Sequence, residues 1–225
     1  MSQSDSSIVL HTYFRSSCSG RLRIALALKN LDVQHVPINL LKKDQLKDDY
    51  KSLNASQSVP VLTDPAAKDF PIGQSIAALE YLEEAYPDRR RLLPPLSKPI
   101  ARAKVRVLVN IIACDTQPVT NLRLVEEIRN LGADLSEWMK NKIGRGLQSY
   151  EMTLASTAGK YSVGDEITLA DVCLVPAVWG AERYDVDMSS MPLLTKVYKA
   201  MSQQEAVWLA HWKNQPDTPA DLRGY

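Results

Sequence analysis

The spacing of apolar positions changes once along this chain, near residue 90. Before that point short apolar runs alternate with helical segments. The run IVLHTY, residues 8–13, predicts a strand, and Leu22, Ile24, Ala25, Leu26 and Leu28 belong to a helix that begins at about Cys18. Gln34 to Leu40, QHVPINL, reads as a second strand. Pro37 marks it as an edge strand or a strand end, because proline offers no N–H to a ladder. VPVLTD and the short stretch around Phe70 to Ile72 predict a hairpin turned by DPAAKD. From Ser75 onward, Ile76, Leu79, Leu82 and Tyr86 recur at roughly helical spacing, and Pro87 stops that helix. The predicted order is β-α-β-(short α)-β-β-α.

RRRLLPPLSKP, ending at Pro99, is rich in proline and charge and has no sustained period, which is the pattern of a linker. Beyond it strand signals nearly vanish. IARAKVRVLVNIIACD (100–115), LSEWMKNKIGRGLQSYEMTLAS (135–156) and LADVCLVPAVWGAERY (169–184) all carry apolar positions at helical spacing. The expected fold class is α/β plus all-α, with an α/β domain over residues 1–90, a linker over 91–99 and a helical domain over 100–225. One helix start in the second part is legible in detail. In GDEITLADVCLV, Thr168 caps the helix, Asp171 is the reciprocal cap three residues on, and Ile167 staples against Val172. That reading assigns Asp171 to folding rather than to catalysis.

Composition narrows the classes of function. A chain of 225 residues, 45% hydrophobic and 24% charged, holds enough apolar material for one large domain or two small ones and lacks the signature of disorder. Its 27 basic and 26 acidic residues leave a formal charge of +1, so nothing draws it over long range to nucleic acid or an anionic membrane. The run Arg89 to Arg91 reads as a solvated loop. MSQSDSSIVL has no basic region followed by a long apolar stretch, and no later segment reaches the ~18 apolar residues of a membrane span, so a soluble intracellular protein is expected. Cys18, Cys114 and Cys173 are odd in number and far apart, which argues against a disulfide framework and fits a reducing compartment. His11, His35 and His211 are equally scattered, and no metal-ligand spacing is present.

The chemistry concentrates in YFRSSCSGRLRIAL, Tyr13 to Leu26. A strand, a tight loop and a helix beginning there direct free backbone N–H groups and the positive end of the helix dipole at one spot. Hydroxyls at that spot can donate to an anion. A thiolate suits them, because a donor to its charged form lowers the thiol's pKa. The plainer alternative is that Ser16, Ser17 and Ser19 compete to cap the helix. A thioredoxin-type dithiol needs Cys-x-x-Cys, but the positions three away from Cys18 are Arg15 and Arg21. The thiol that is activated therefore arrives with a ligand.

YFRSSCSGRLRIALAL resembles the active-site signature of zeta-class glutathione transferases, the family that includes maleylacetoacetate isomerase. LNASQSVPVL, GQSIAALEYLEE, LLPP, QPVTNL, STAGKYSVGDEITLADVCLVP and the C-terminal QPDTPADLR continue the likeness along nearly the whole chain. The resemblance implies a thioredoxin-like N-terminal domain that holds glutathione, an α-helical C-terminal domain that shapes the acceptor site, a homodimer and a cytoplasmic location. It implies glutathione-dependent cis–trans isomerisation of maleylacetoacetate to fumarylacetoacetate, in tyrosine and phenylalanine breakdown. Two alternatives stand beside it: a transferase acting on α-haloacids or other electrophiles, and a non-catalytic glutathione-binding module.

The same resemblance assigns residues. Ser16 matches the hydroxyl that stabilises the glutathione thiolate, with Ser17 and Cys18 alongside. Val59-Pro60 matches a pair in which a cis proline aims the preceding backbone at the cysteinyl unit; without the resemblance Pro60 is an ordinary strand start. Gln74-Ser75 matches the pair that receives the γ-glutamyl end, and a helix N-terminus at Ser75 suits a carboxylate or simply a cap. Gln45 corresponds to a glutathione contact, and QPVTNLR supplies Gln117, Asn121 and Leu122 as glutathione-side or acceptor-side contacts. Arg183 aligns with an arginine that binds a substrate carboxylate; by itself, beside Glu182 and Asp185, it reads as half of a surface ion pair.

Overall fold

The computed structural model describes residues 7–68 and 70–224, with the backbone alone at Glu126. The chain divides into two compact units, Met1–Arg91 with Glu205–Tyr225, and Leu92–Gln204.

The first unit is built on a four-stranded mixed sheet in the order β2-β1-β3-β4. Strands β1 (Ile8–Thr12) and β2 (Val33–Pro37) are parallel and joined through helix α1 (Ser17–Leu28). Strand β3 (Val61–Thr63) runs antiparallel to β1 and is followed by β4 (Ile72–Gly73). Helix α2 (Asp48–Leu53) precedes β3, and α3 (Ser75–Ala85) closes the thioredoxin-like arrangement. Pro37 ends β2 at the sheet edge, where its missing N–H leaves no ladder bond unmade. Phe70 lies outside the hairpin's short second strand, with its ring in solvent.

Helix α1 is buried continuously from Ser19 to Leu26, including Arg21 and Arg23, because the sheet, α3 and a C-terminal helix all pack on it. At its end Lys29 and Glu83 of α3 form a buried ion pair at 2.6 Å, and Lys29 Nζ also donates to the Arg90 carbonyl at 2.9 Å. A charge removed from water in this way is tolerated only with such partners.

The second unit is helical: α4 (Pro99–Asn110), α5 (Val125–Asn130), α6 (Leu135–Leu154), α7 (Leu169–Arg183) and α8 (Pro192–Ser202). Helix α7 is its centre and packs against α4, α6 and α8. Its sides are buried almost all round, which is why LADVCLVPAVWGA is apolar beyond one stripe and carries Pro176 in its interior. The single helix expected over 100–115 instead passes from α4 into a π-helical turn, Ile111–Thr116. There the Thr116 hydroxyl donates to the Ile111 carbonyl at 2.7 Å. Gly146 of α6 makes room for it: a Cβ at Gly146 would lie 1.9 Å from Thr116 Oγ1.

Two buried carboxylates hold helix ends. Asp171 accepts the Thr168 N–H at 2.8 Å, the Thr168 hydroxyl at 3.0 Å and the Ser162 N–H at 2.7 Å. Burial pushes its carboxyl above the ordinary value, and these hydrogen bonds oppose that shift. Glu151 accepts the Leu193 and Leu194 N–H groups at the start of α8, at 3.1 and 2.6 Å.

The division expected at residues 91–99 and 100–225 needs one correction. Residues 205–225 pack with the first unit, where α9 (Glu205–Ala210) lies on α1. Their helical spacing could not reveal this, because the contacts are made to residues some 190 positions earlier. Within 91–99, Leu92 and Leu93 are buried, and the Leu92 carbonyl accepts the Leu169 N–H at 2.8 Å.

Candidate active site

The turn between β1 and α1 is where the first unit concentrates its chemistry. Ser16 has extended backbone angles, and its Oγ accepts the Ser19 N–H at 3.1 Å. It is therefore the helix N-cap, as the plainer reading of the serines proposed. A hydroxyl that accepts one hydrogen bond still has its own proton to donate, so capping and anion binding are compatible at this one oxygen. Ser17 and Cys18 form the first turn of α1 and are half-buried. Their N–H groups have no intrahelical acceptor and lie at the positive end of a twelve-residue helix.

The turn is held by a residue that sequence reasoning missed. Arg23 is buried on α1, and its guanidinium donates to Thr12 Oγ1 at 3.0 Å and to the carbonyls of Tyr13 at 3.3 Å, Phe14 at 2.9 Å and Ala210 at 3.0 Å. Burial pulls Arg23 down to about 10, and the charge of Asp217 acts in the opposite direction. Asp217 Oδ2 accepts the Phe14 N–H at 2.8 Å.

Val59-Pro60 is a cis peptide at the head of β3. The carbonyl before it, on Ser58, accepts the Tyr50 hydroxyl at 2.7 Å and the Asn54 amide at 2.8 Å, so α2 fixes this segment. Tyr13, Phe14, Tyr50, Val59 and Val61 form one buried cluster, which brings the Ser16 turn and the cis-proline segment together. Gln74 is exposed at φ 66° and ψ 111°, a conformation uncommon for a side-chain-bearing residue and concentrated at functional positions. Ser75 opens α3 and is buried; its Oγ accepts from Arg21 Nη1 at 3.0 Å, across from α1. Arg21 thus ties the second candidate hydroxyl to the helix that carries the first. Gln45 lies in a short 3-10 turn, Asp44–Leu46, and its buried Oε1 has no hydrogen-bond partner among the described residues.

The remaining candidates belong to the second unit. Gln117 directly follows the π-helical turn, a form of irregularity common at functional sites. Asn121 Oδ1 accepts the Arg123 N–H at 3.0 Å and so caps the turn Leu122–Leu124, while Leu122 is itself 47% exposed. Arg183 ends α7, is exposed, and places its guanidinium 5.1 Å from the ring centre of Tyr184. The signal that could have found Arg21 and Arg23 was their setting. Two arginines interleaved with Leu22, Ile24, Ala25 and Leu26 leave a helix no polar face, which implies buried guanidinium groups with fixed partners.

Family models for the glutathione S-transferase N-terminal domain and C-terminal domain match residues 15–85 and 132–205. A maleylacetoacetate isomerase of Emericella nidulans is 49% identical over 98% of this chain and 98% of its own. Among solved structures, a maleylpyruvate isomerase described as a bacterial zeta-class glutathione S-transferase superposes with a TM-score of 0.87 at 39% identity, covering 94% of this chain and 100% of its own. The maleylacetoacetate isomerase of Methylobacterium extorquens AM1, solved with malonate and glutathione, gives a TM-score of 0.86 at 33% identity with the same coverage. With both domains matched and near full-length likeness in sequence and fold, this chain belongs to the glutathione S-transferase family, in its zeta class.

Proposed function

We propose that this chain catalyses the glutathione-dependent cis–trans isomerisation of maleylacetoacetate to fumarylacetoacetate, in tyrosine and phenylalanine breakdown. The observation that carries the reading is Ser16, an N-cap whose hydroxyl keeps a proton to donate at the head of α1. The substrate is taken from the activity for which the relatives are named. The residues present fit glutathione on two further counts. A serine hydroxyl oriented by a buried arginine stands at the N-terminus of α3, which suits the γ-glutamyl carboxylate. Gln45 holds a buried oxygen in need of a donor.

Bound glutathione supplies a thiolate that adds to the conjugated cis double bond and leaves again after rotation, so that it is regenerated. Ser16 donates its hydroxyl proton to the sulfur, which lowers the thiol's pKa and raises the reactive fraction at neutral pH. The first-turn N–H groups of Ser17 and Cys18 favour negative charge at the same place. Val59, Gln74 and Ser75 take the glutathione backbone and γ-glutamyl end, with Gln45, Gln117, Asn121 and Leu122 as further contacts. Arg183 takes an acceptor carboxylate, for which a guanidinium offers two parallel donors. We assign the protein to the cytoplasm as a homodimer; its three free cysteines support a reducing compartment.

The test is to follow maleylacetoacetate loss with and without glutathione. Isomerisation should require glutathione and leave its total concentration unchanged. Stoichiometric consumption of glutathione, or an equal rate without it, would overturn the mechanism.

A further inference from the structure

The C-terminal motif QPDTPADLR, residues 215–223, has no part in the reading above, yet its side chains are committed to the first unit. Gln215 Nε2 donates to the carbonyls of Leu209 and His211, both at 2.8 Å. The Thr218 hydroxyl donates to the Trp212 carbonyl. Arg223 clamps the turn from the far side, donating to the carbonyls of Thr218 at 2.9 Å and Pro216 at 2.8 Å. Leu222 and Trp212 pack on the cluster of Tyr13, Phe14, Tyr50, Val59 and Val61. These contacts fold the tail into a strap from which Asp217 makes a hydrogen bond to the turn before Ser16: its carboxylate accepts the Phe14 N–H at 2.8 Å.

Phe14 lies two residues before Ser16. Its N–H is held by Asp217 and its carbonyl by Arg23, while the Tyr13 carbonyl takes both Arg23 and the Ser16 N–H, the latter at 3.0 Å. The peptides on which Ser16 hangs are therefore gripped from both sides, and one grip comes from the tail. We propose that Asp217 is a positioning residue for the glutathione thiolate: by accepting the Phe14 N–H it sets where the turn presents the Ser16 hydroxyl, and so how acidic the bound thiol becomes. This rests on the proposed glutathione site. It assigns the tail a role in the chemistry beyond closing the fold, because a displacement of about 1 Å in a positioned group costs up to about 10² in rate.

The experiment titrates the ultraviolet absorbance of the thiolate of glutathione bound to the full chain, alongside turnover and melting temperature. In the unsubstituted protein the midpoint should lie below that of free glutathione. Asp217→Ala should raise it by about one unit, a loss of thiolate that approaches tenfold at pH values well below the midpoint, and lower kcat there by about tenfold or more with little change in KM for maleylacetoacetate. Asp217→Asn retains an oxygen that accepts the Phe14 N–H and should restore both. If Asp217→Ala does not fold, Asp217→Glu moves the carboxylate by one methylene and should shift the midpoint in the same direction. An unchanged midpoint with only a lower melting temperature would reduce the tail to a structural element. A midpoint in Asp217→Asn as high as in Asp217→Ala would also overturn the proposal. A wild-type midpoint equal to that of free glutathione would remove the glutathione reading itself, and this inference with it.

Discussion

Two helix starts in this molecule use the same local chemistry to opposite ends. At α7, Thr168 and Asp171 are buried and every partner is internal: the carboxylate takes both the N–H and the hydroxyl of Thr168, and a further N–H from Ser162. Both donors of Thr168, its N–H and its hydroxyl, are taken up within the protein. At α1, Ser16 takes the Ser19 N–H and stays half-buried, and its hydroxyl proton and the following N–H groups remain to be used. The contrast separates a cap that completes a core from a cap that is proposed to serve a site. What differs is whether the tertiary structure has already consumed the polar groups that a helix N-terminus provides.

The largest effect should come from breaking the closed cap. Asp171→Ala leaves two buried N–H groups and a hydroxyl without an acceptor, each worth about 1–3 kcal/mol, so a loss on the order of 4 kcal/mol in denaturant-derived stability is expected. The surviving folded fraction should keep its affinity for glutathione. Poor glutathione binding in protein shown to be folded would mean that the α7 cap also serves the site.

Ser16→Ala inverts that pattern. Turnover should fall by about 10²–10³ as one preorganised donor is lost, while stability falls by only about 1 kcal/mol for the missing cap. Cys18→Ala, measured in parallel, should retain most of the activity. A dead Cys18→Ala and a live Ser16→Ala would reverse the assigned roles.

His211 sharpens the comparison with a cap that titrates. Its Nδ1 accepts the Lys213 N–H at 3.2 Å in the strap, and burial, helped by the charges of Lys213 and Arg23, lowers it to about 4. Because its folded value lies below the ordinary 6.5, the unfolded chain binds a proton first as pH falls. The stability it contributes is complete above pH 6.5 and is lost between 6.5 and about 4, by up to roughly 3 kcal/mol. Thermal melts across this range should show the loss, and His211→Asn, which keeps an acceptor without the titration, should flatten it. Burial also lowers His11 and His35, so some slope will remain. An unaltered pH profile in His211→Asn would place the acid sensitivity elsewhere.

Much of the candidate site was legible because its logic is local. Ser16 and Ser19 are three residues apart, as are Thr168 and Asp171, and each cap closes within one helical turn. The missing second cysteine was equally plain, and apolar spacing separated a strand-bearing part from a helical one. By contrast, Glu151 capping α8 from 42 and 43 residues away, or Gly146 opening space for Thr116, left no periodic trace.

The sequence by itself therefore determined where α1, α3 and α7 begin, which hydroxyls stand at α1, and that Cys18 has no Cys-x-x-Cys partner. Only the tertiary structure decided that Arg21 aims at Ser75, that Arg23 grips the carbonyls before Ser16, and that Asp217 reaches Phe14 from 203 positions away. The reason is physical. A capping bond forms between neighbours whatever the rest of the chain does, and so writes its residue types at fixed offsets. A buried guanidinium is indistinguishable in sequence from a solvated one, because its acceptors are mostly backbone carbonyls that any residue could supply, and closure of the fold alone brings them within reach.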